Sequence, residues 1–432
     1  MKKTVIILLP IFWPNLPPLS LVSLKGFINK YNIPIDIIDF NNYFFDLVSN
    51  DLKKKWIISC NQSLEAGILD ILKTQYGDLY NDMIDRLLKY DIVGFSCYKS
   101  NYEVSKEIAQ ILRNIDPRIE TVFGGPEITR QYFKLHDALS KEPGNSADFI
   151  VAGEGELPLL DYLTDRRLNS NVSAFWELND LTELPAPDYT GIDFSKYHKK
   201  NSVSLMYNRG CIRACKFCSE RLLYKKFKRG SADSIIAQIK HHKSTGISQF
   251  IFHDSIINAD YNALEELCDK IISNFGNIKW EAQIAVRSDM PEKLFAKMKN
   301  SGCYNLFIGL ESGSNRTLSA MNKGFSTAEA IYFFRKLNTA GLHFGISIIA
   351  GYPGETQQDF IDSVDFVVNN KSIIPKIEQI NPYIYYEGTE PVKQHDYISP
   401  AESMQRAAEF INRIKEAGFK YTNAFLMNLV EK

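Results

Sequence analysis

Short, continuous runs of β-branched and other apolar residues alternate with amphipathic helical stretches twice along this chain. In the first 160 residues the runs are "TVIILL", "IPIDIIDF", "DIVGFS", "ETVFGG" and "DFIVAGEGE", separated by segments such as "LSLVSLKGFINKY" and "NYEVSKEIAQILRNI". A strand that is apolar on both faces needs cover on both faces, and a helix between two such strands makes a parallel crossover. The pattern predicts an α/β domain over residues 1–165, a doubly wound, Rossmann-like parallel sheet. From Ser202 the alternation restarts with "SVSLMYN", "QFIFHDS", "KWEAQIA", "YNLFIGLES", "HFGISIIAGYP" and "KIEQINPYIYY". These are six strand–helix units over 201–390, which suit either an open sheet or a partial barrel of the (β/α) kind. Residues 166–200 hold two close prolines and no sustained period, as a linker does. Residues 391–432 form a C-terminal helical segment containing "PAESMQRAAEFINRIKEAG".

Both sheet types place ligands at the carboxyl ends of their strands. In the first domain those ends are polar or glycine-rich: Ser96 to Ser100, "GGPEIT" from Gly124 and Gly125, and "GEGE" from Gly153. Such glycines serve tight turns or the close approach of a ligand, and their number on one rim keeps both readings open.

With 432 residues the chain is too long for one core. Lys plus Arg number 50 and Asp plus Glu 51, so there is no general polyanion-binding field and no nucleic-acid partner is expected. Seven cysteines without regular spacing outside one cluster suggest a reducing, cytoplasmic setting. The apolar run near the N-terminus is short and broken by proline, as a buried first strand would be, and no stretch approaches the roughly 20 apolar residues of a membrane span.

The cluster is "CIRACKFC", with Cys211, Cys215 and Cys218. A structural zinc site closes with four protein donors and an ordinary iron–sulfur cluster with four thiolates. Three leave one metal position open to an outside ligand. A zinc knuckle completed by His253 or His198 is the alternative. Arg209, Arg213 and Lys216 flank the loop and would favour thiolates. Cys60, Cys97, Cys268 and Cys303 read as core residues, and no cysteine follows Cys303, so a single cluster is expected.

"CIRACKFC" matches the CxxxCxΦC signature of the radical SAM superfamily, with Phe217 as the aromatic Φ. "WEAQIAVRSD", "FIGLESGSNRTLSAMNKG" and "IIAGYPGETQQDF" resemble the third, fourth and fifth strand motifs of the branch with an N-terminal cobalamin-binding domain. "DIVGFS", "VFGGPEIT" and "DFIVAGEGE" resemble that domain, so the resemblance covers nearly the whole chain. It implies a partial (β/α)6 TIM-type barrel and a [4Fe-4S] cluster on Cys211, Cys215 and Cys218, with S-adenosylmethionine on the fourth iron. It also implies cleavage of that cofactor to a 5'-deoxyadenosyl radical. By motif, the main chain at Phe217 would contact adenine, Glu311 the ribose or amino group, and Arg287 the carboxylate. Gly351, in "GYPGE", would shape the adenine side. No glycine-rich motif is evident in strand two, where "FIFHDSIIN" leaves the role of Asp254 open. The basic run "RLLYKKFKRG" reads as a solvated loop that could meet a phosphate or an acidic substrate.

The first domain lacks the DxHxxG motif that brings a histidine to cobalamin, and His136 lies in the helical stretch "YFKLHDALS". The resemblance still implies cobalamin, held along the rim of Ser96, Gly124, Gly125 and Gly153 without that ligand. The function it implies is cobalamin-dependent C-methylation of a small-molecule or peptide substrate, fed by an external one-electron reductant such as flavodoxin or ferredoxin. Radical rearrangement, cyclisation or epimerisation without cobalamin chemistry is the alternative. No motif singles out a catalytic acid, base or hydrogen donor, and none fixes the substrate.

Overall fold

The computed structural model of the chain describes residues 2–62, 67–139, 147–164, 173, 175–182, 184–390, 393 and 396–421. It divides between Asn201 and Ser202 into two units, each built on its own parallel sheet.

The first sheet holds β1 (Thr4–Leu8), β2 (Ile35–Asp39), β3 (Ile92–Ser96), β4 (Glu120–Gly124) and β5 (Phe149–Ile150) in the order β2-β1-β3-β4-β5. All four pairings are parallel. Every residue of β1 and β3 is buried, as central strands covered by helices on both faces must be. Ile6, Leu8, Phe27, Ile92, Val122, Phe149 and Leu160 form part of the core against one face. The strand order turns back at β1, so the crevice where ligands bind in such sheets lies between the ends of β1 and β3. Residues after 172, which read as a linker, are bonded to this unit. The Asp188 amide donates to Val22, Trp176 bridges Gly153, and the Tyr197 hydroxyl donates to Asp39.

The second unit carries β6 (Ser202–Leu205), β7 (Asn208–Arg209), β8 (Lys228–Arg229), β9 (Gln249–Phe252), β10 (Lys279–Ile284), β11 (Cys303–Glu311), β12 (Phe344–Ala350) and β13 (Ile377–Pro382). Six of them make one sheet in the order β13-β12-β11-β10-β9-β6, and β7 and β8 pair as a separate antiparallel ribbon. A doubly wound sheet reverses its order part-way. This one runs in chain order from edge to edge and does not close, which is the topology of a partial (β/α)6 barrel. Its helices begin at capped ends: Ser231, Asp260, Ser326, Thr356 and Ser399 each accept from an amide in the first turn. Trp280, Phe250, Phe252 and Phe333 are among its largest fully buried side chains.

Candidate functional site

The cysteine loop leaves the end of β6, and the short segment Met321–Phe325, after β11 and its following helix, holds it in shape. The Lys216 amide donates to Met321 at 3.0 Å, and the Asn322 side chain donates to the Ala214 carbonyl at 2.8 Å. The Arg213 guanidinium spans the carbonyls of Gly324 (3.0 Å) and Val286 (2.7 Å). From the far edge of the sheet the Glu390 amide donates to the Lys216 carbonyl at 3.3 Å. Main-chain groups that a loop would otherwise present to water are thus paired within the barrel rim.

Cys211, Cys215 and Cys218 are free thiols of intermediate exposure. Burial pushes the Cys218 thiol up to about 12, and it raises Cys211 as well, with Cys215 and Glu220 adding to both. The flanking cations are engaged elsewhere. Arg213 is spent on two carbonyls and Lys216 on Glu390 at 3.0 Å. A bound metal's charge would deprotonate its thiol ligands outright.

Across from the loop, β11 ends at Glu311 in the left-handed region, at φ 73°, beside a shift of register against β12. A non-glycine residue there is strained, and such strain concentrates at ligand sites. Burial raises its carboxyl, opposed by Lys323, whose Nζ lies 3.8 Å away, and by the Ser347 hydroxyl, which donates to it at 3.0 Å. Lys323 is itself 8% exposed, with its Nζ 5.6 Å from the centre of the Phe217 ring. The Phe217 ring meets Tyr352 edge-on at 6.4 Å. One small region thus gathers the cysteine loop, two aromatic rings, a buried carboxylate and a buried ammonium. Sequence reasoning missed Lys323. Its signal was the turn "MNKG", whose Asn322 has φ 56° and whose Gly324 has φ 69°.

Arg287 stands after β10. Its guanidinium donates to the carbonyls of Asn258 and Ala259 (3.0 Å each) and to Asp289 (3.1 Å), and it lies 3.9 Å from the Tyr261 ring centre. With Ile212, Arg213, Asp289, Phe325 and Glu329 it lines a cleft of about 340 Å³. Asp254, fully buried after β9, accepts from the amides of Tyr207 (3.1 Å) and Asn208 (2.5 Å) and so fixes the chain leading into the cysteine loop. Burial lifts its pKa to about 7. Gly351, at φ 75°, lies where a Cβ would come within 2.5–2.7 Å of Ser403. Its amide donates to Glu355 (2.9 Å), which Arg406 holds at 2.9 Å.

In the first unit Ser96 and Gly124 are register partners on one rim. Asn101 bridges the ends of β1 and β3, donating to Leu9 (3.1 Å) and Ser96 (3.3 Å), and Phe12 packs on Tyr98 with ring centres 4.3 Å apart. Gly125 and Gly153 are glycines for a reason internal to the fold. A Cβ on Gly125 would lie 2.8 Å from the Cys97 main chain, and one on Gly153 2.1 Å from the Trp176 carbonyl oxygen. Gly124 is not so confined, since its nearest neighbour would be Val151 at 3.5 Å. Cys97 is fully buried in this rim, as a core cysteine.

Residues 205–367 match the model of the radical SAM superfamily, and residues 61–163 match that of the B12-binding domain. The chain carries a radical SAM domain and a B12-binding domain. It is 28% identical over 311 residues to a protein of Pyrococcus horikoshii named as an uncharacterized methyltransferase, covering 66% of each chain. It is 24% identical over 333 residues to an anaerobic magnesium-protoporphyrin IX monomethyl ester cyclase of Synechocystis sp., covering 70% of this chain and 65% of that one. It therefore spans just under two thirds of the length of these relatives. Among solved structures, the radical S-adenosylmethionine methyltransferase TsrM from Kitasatospora setae superposes with a TM-score of 0.68 at 14% identity, over 89% of this chain and 73% of that one. The cobalamin-dependent S-adenosylmethionine radical enzyme OxsB gives 0.64 at 16% identity, over 96% and 56%. These likenesses confirm the fold of both units.

The cofactors that go with these domains are a [4Fe-4S] cluster with S-adenosylmethionine, and cobalamin. The radical SAM domain offers the cluster a fitting donor set. Cys211, Cys215 and Cys218 are three free thiols of intermediate exposure on one short loop, within reach of a metal group that enters from outside. The B12-binding domain has the β2-β1-β3-β4-β5 order with its crevice at β1 and β3. After β1 and β2, Asn15 Oδ1, Asn41 Nδ2 and Asn42 Oδ1 are buried with no partner in the protein. No helix among the described residues is long and apolar enough to cross a membrane.

Proposed function

We propose that the protein cleaves S-adenosylmethionine reductively and methylates a carbon of its substrate in a cobalamin-dependent reaction. The observation that carries this reading is the union in one chain of the two matched domains, with the three-cysteine loop set against Glu311 and Lys323 in the first of them. When bound, the cluster and its S-adenosylmethionine supply the 5'-deoxyadenosyl radical, and cobalamin supplies the methyl group.

The chain's own residues have distinct tasks. Cys211, Cys215 and Cys218 would hold the cluster and leave room on it for the amino acid end of S-adenosylmethionine. Glu311 and Lys323, buried side by side, would flank that end, Glu311 accepting from its amino N–H and Lys323 donating to its carboxylate. Phe217 and Tyr352 border the place of the adenine. Arg287, already bonded to two carbonyls and Asp289, acts chiefly by holding the loop at 258–259. The rim of Ser96, Gly124, Gly125 and Gly153 would border the cobalamin, with Gly124, the least confined of these glycines, leaving most room for it. The electron comes from an external carrier such as flavodoxin or ferredoxin, and the seven free thiols agree with a reducing cytoplasm. The substrate is a small molecule or a peptide.

Anaerobic reconstitution tests the reading. Iron–sulfur absorbance with about four irons per chain, one corrin retained through gel filtration, and 5'-deoxyadenosine formed from S-adenosylmethionine and reductant are the expected results. Deoxyadenosine formed with no corrin retained would end the methylation reading and leave radical rearrangement, cyclisation or epimerisation in its place.

A further inference from the structure

The basic run after the cluster cysteines has no part in the reading so far. From Arg209 to Gly230 the chain carries eight basic side chains and one acidic, Glu220, on a protein of net charge −1. The fold does not leave this run as a loose loop. β8 pairs with β7, Asn208 opposite Arg229 and Arg209 opposite Lys228. Gly210 passes so close beneath the run that a Cβ there would lie 2.6 Å from the Lys226 carbonyl oxygen, and the next residue is Cys211. Backbone pairing thus fixes the basic ribbon beside the first cluster ligand. Arg221, Lys225, Lys226 and Arg229 are exposed. The carboxylate of Glu220 is taken up by the Ser255 hydroxyl. Ile212, between the first two cysteines, is 46% exposed. An exposed apolar residue inside a charged rim is the anatomy of a transient protein interface.

We infer that this ribbon and Ile212 form the docking face for the electron donor, a small acidic one-electron carrier protein. The inference rests on the radical reading, which requires one electron per S-adenosylmethionine cleaved to enter the cluster from outside. That electron leaves the reduced centre of the donor and takes the cluster from its 2+ to its 1+ state, with no bond made or broken. Transfer needs the two centres close together, and the ribbon's backbone is anchored next to Cys211. A patch of one sign steers an oppositely charged partner, raising association by about 10- to 1000-fold at low salt.

The test compares two reductants on the reconstituted protein: purified reduced flavodoxin, which is acidic, and the methyl viologen radical cation. In the Lys225→Glu, Lys226→Glu variant the Kd for oxidised flavodoxin, titrated calorimetrically, rises at least ten-fold, and the initial rate of deoxyadenosine formation at subsaturating flavodoxin falls at least ten-fold. It also loses most of its dependence on ionic strength. With methyl viologen the rate is unchanged or higher, because the added charges attract a cation. The milder Lys225→Gln, Lys226→Gln variant gives an intermediate loss with flavodoxin alone. An unchanged flavodoxin rate in both variants overturns the inference and returns the ribbon to an anionic small ligand such as phosphate. An equal loss with both reductants also overturns it, since the ribbon would then only support the cluster loop. Wild-type protein that forms no deoxyadenosine with either reductant overturns the radical reading, and the docking face with it.

Discussion

Lys323 shows what a buried charge costs and what it is for. Neither it nor Glu311 is compensated fully by the other at 3.8 Å, which is longer than a hydrogen bond, so each keeps bonding capacity for a third party. Truncating Lys323→Ala should weaken S-adenosylmethionine binding about ten- to a hundred-fold, the worth of a charge-assisted contact of about 1.5–3 kcal/mol. Lys323→Arg should recover part of it, with iron content unchanged in both. Arg287→Ala should cost less than Lys323→Ala by calorimetric titration, because its donors already serve the protein. The opposite ranking would return the carboxylate to Arg287. The sequence displayed both cations equally well. It could not show direction, which is set by the carbonyls of Asn258 and Ala259 for one and by Glu311 for the other.

At the scale of elements, strands such as β1, β3, β9 and β12 were legible as continuous apolar runs, whereas the polar pair β7 and β8 lay hidden in a stretch that read as a solvated loop. What tied the loops together was not legible, because the partners are main-chain groups far away in sequence. Asp254 is the clearest case. Its folded pKa, about 7, lies above the ordinary aspartate value. Between about pH 4 and 7 the folded barrel keeps a proton that the unfolded chain releases, so stability falls as pH rises through that window and levels off above it. A shift of this size corresponds to roughly 4 kcal/mol when fully expressed. Asp254→Asn should abolish this slope. Denaturation at pH 5 and pH 8 should show the wild type losing stability relative to the variant at the higher pH, and parallel behaviour would refute the assignment. Gly351→Ala should destabilise by about 2–4 kcal/mol, combining a left-handed backbone with a clash against Ser403. A thermal melt within a degree of wild type would show that the C-terminal helix yields freely.

For the whole molecule, the two units have separate cores, and the cysteine loop contributes to neither. Replacing Cys211, Cys215 and Cys218 together by Ala should therefore remove iron–sulfur absorbance while leaving the far-UV dichroism intact. A triple variant that still holds about four irons would relocate the cluster. The loop is nevertheless completed by partners from distant parts of the chain. Lys216 is bonded to Met321 and to Glu390, residues that the ribosome adds 105 and 174 positions later. While the barrel is being synthesised, the cysteines emerge on a strand whose stabilising neighbours do not yet exist. The loop that would receive iron and sulfide thus reaches its final shape only once the last third of the barrel has been made.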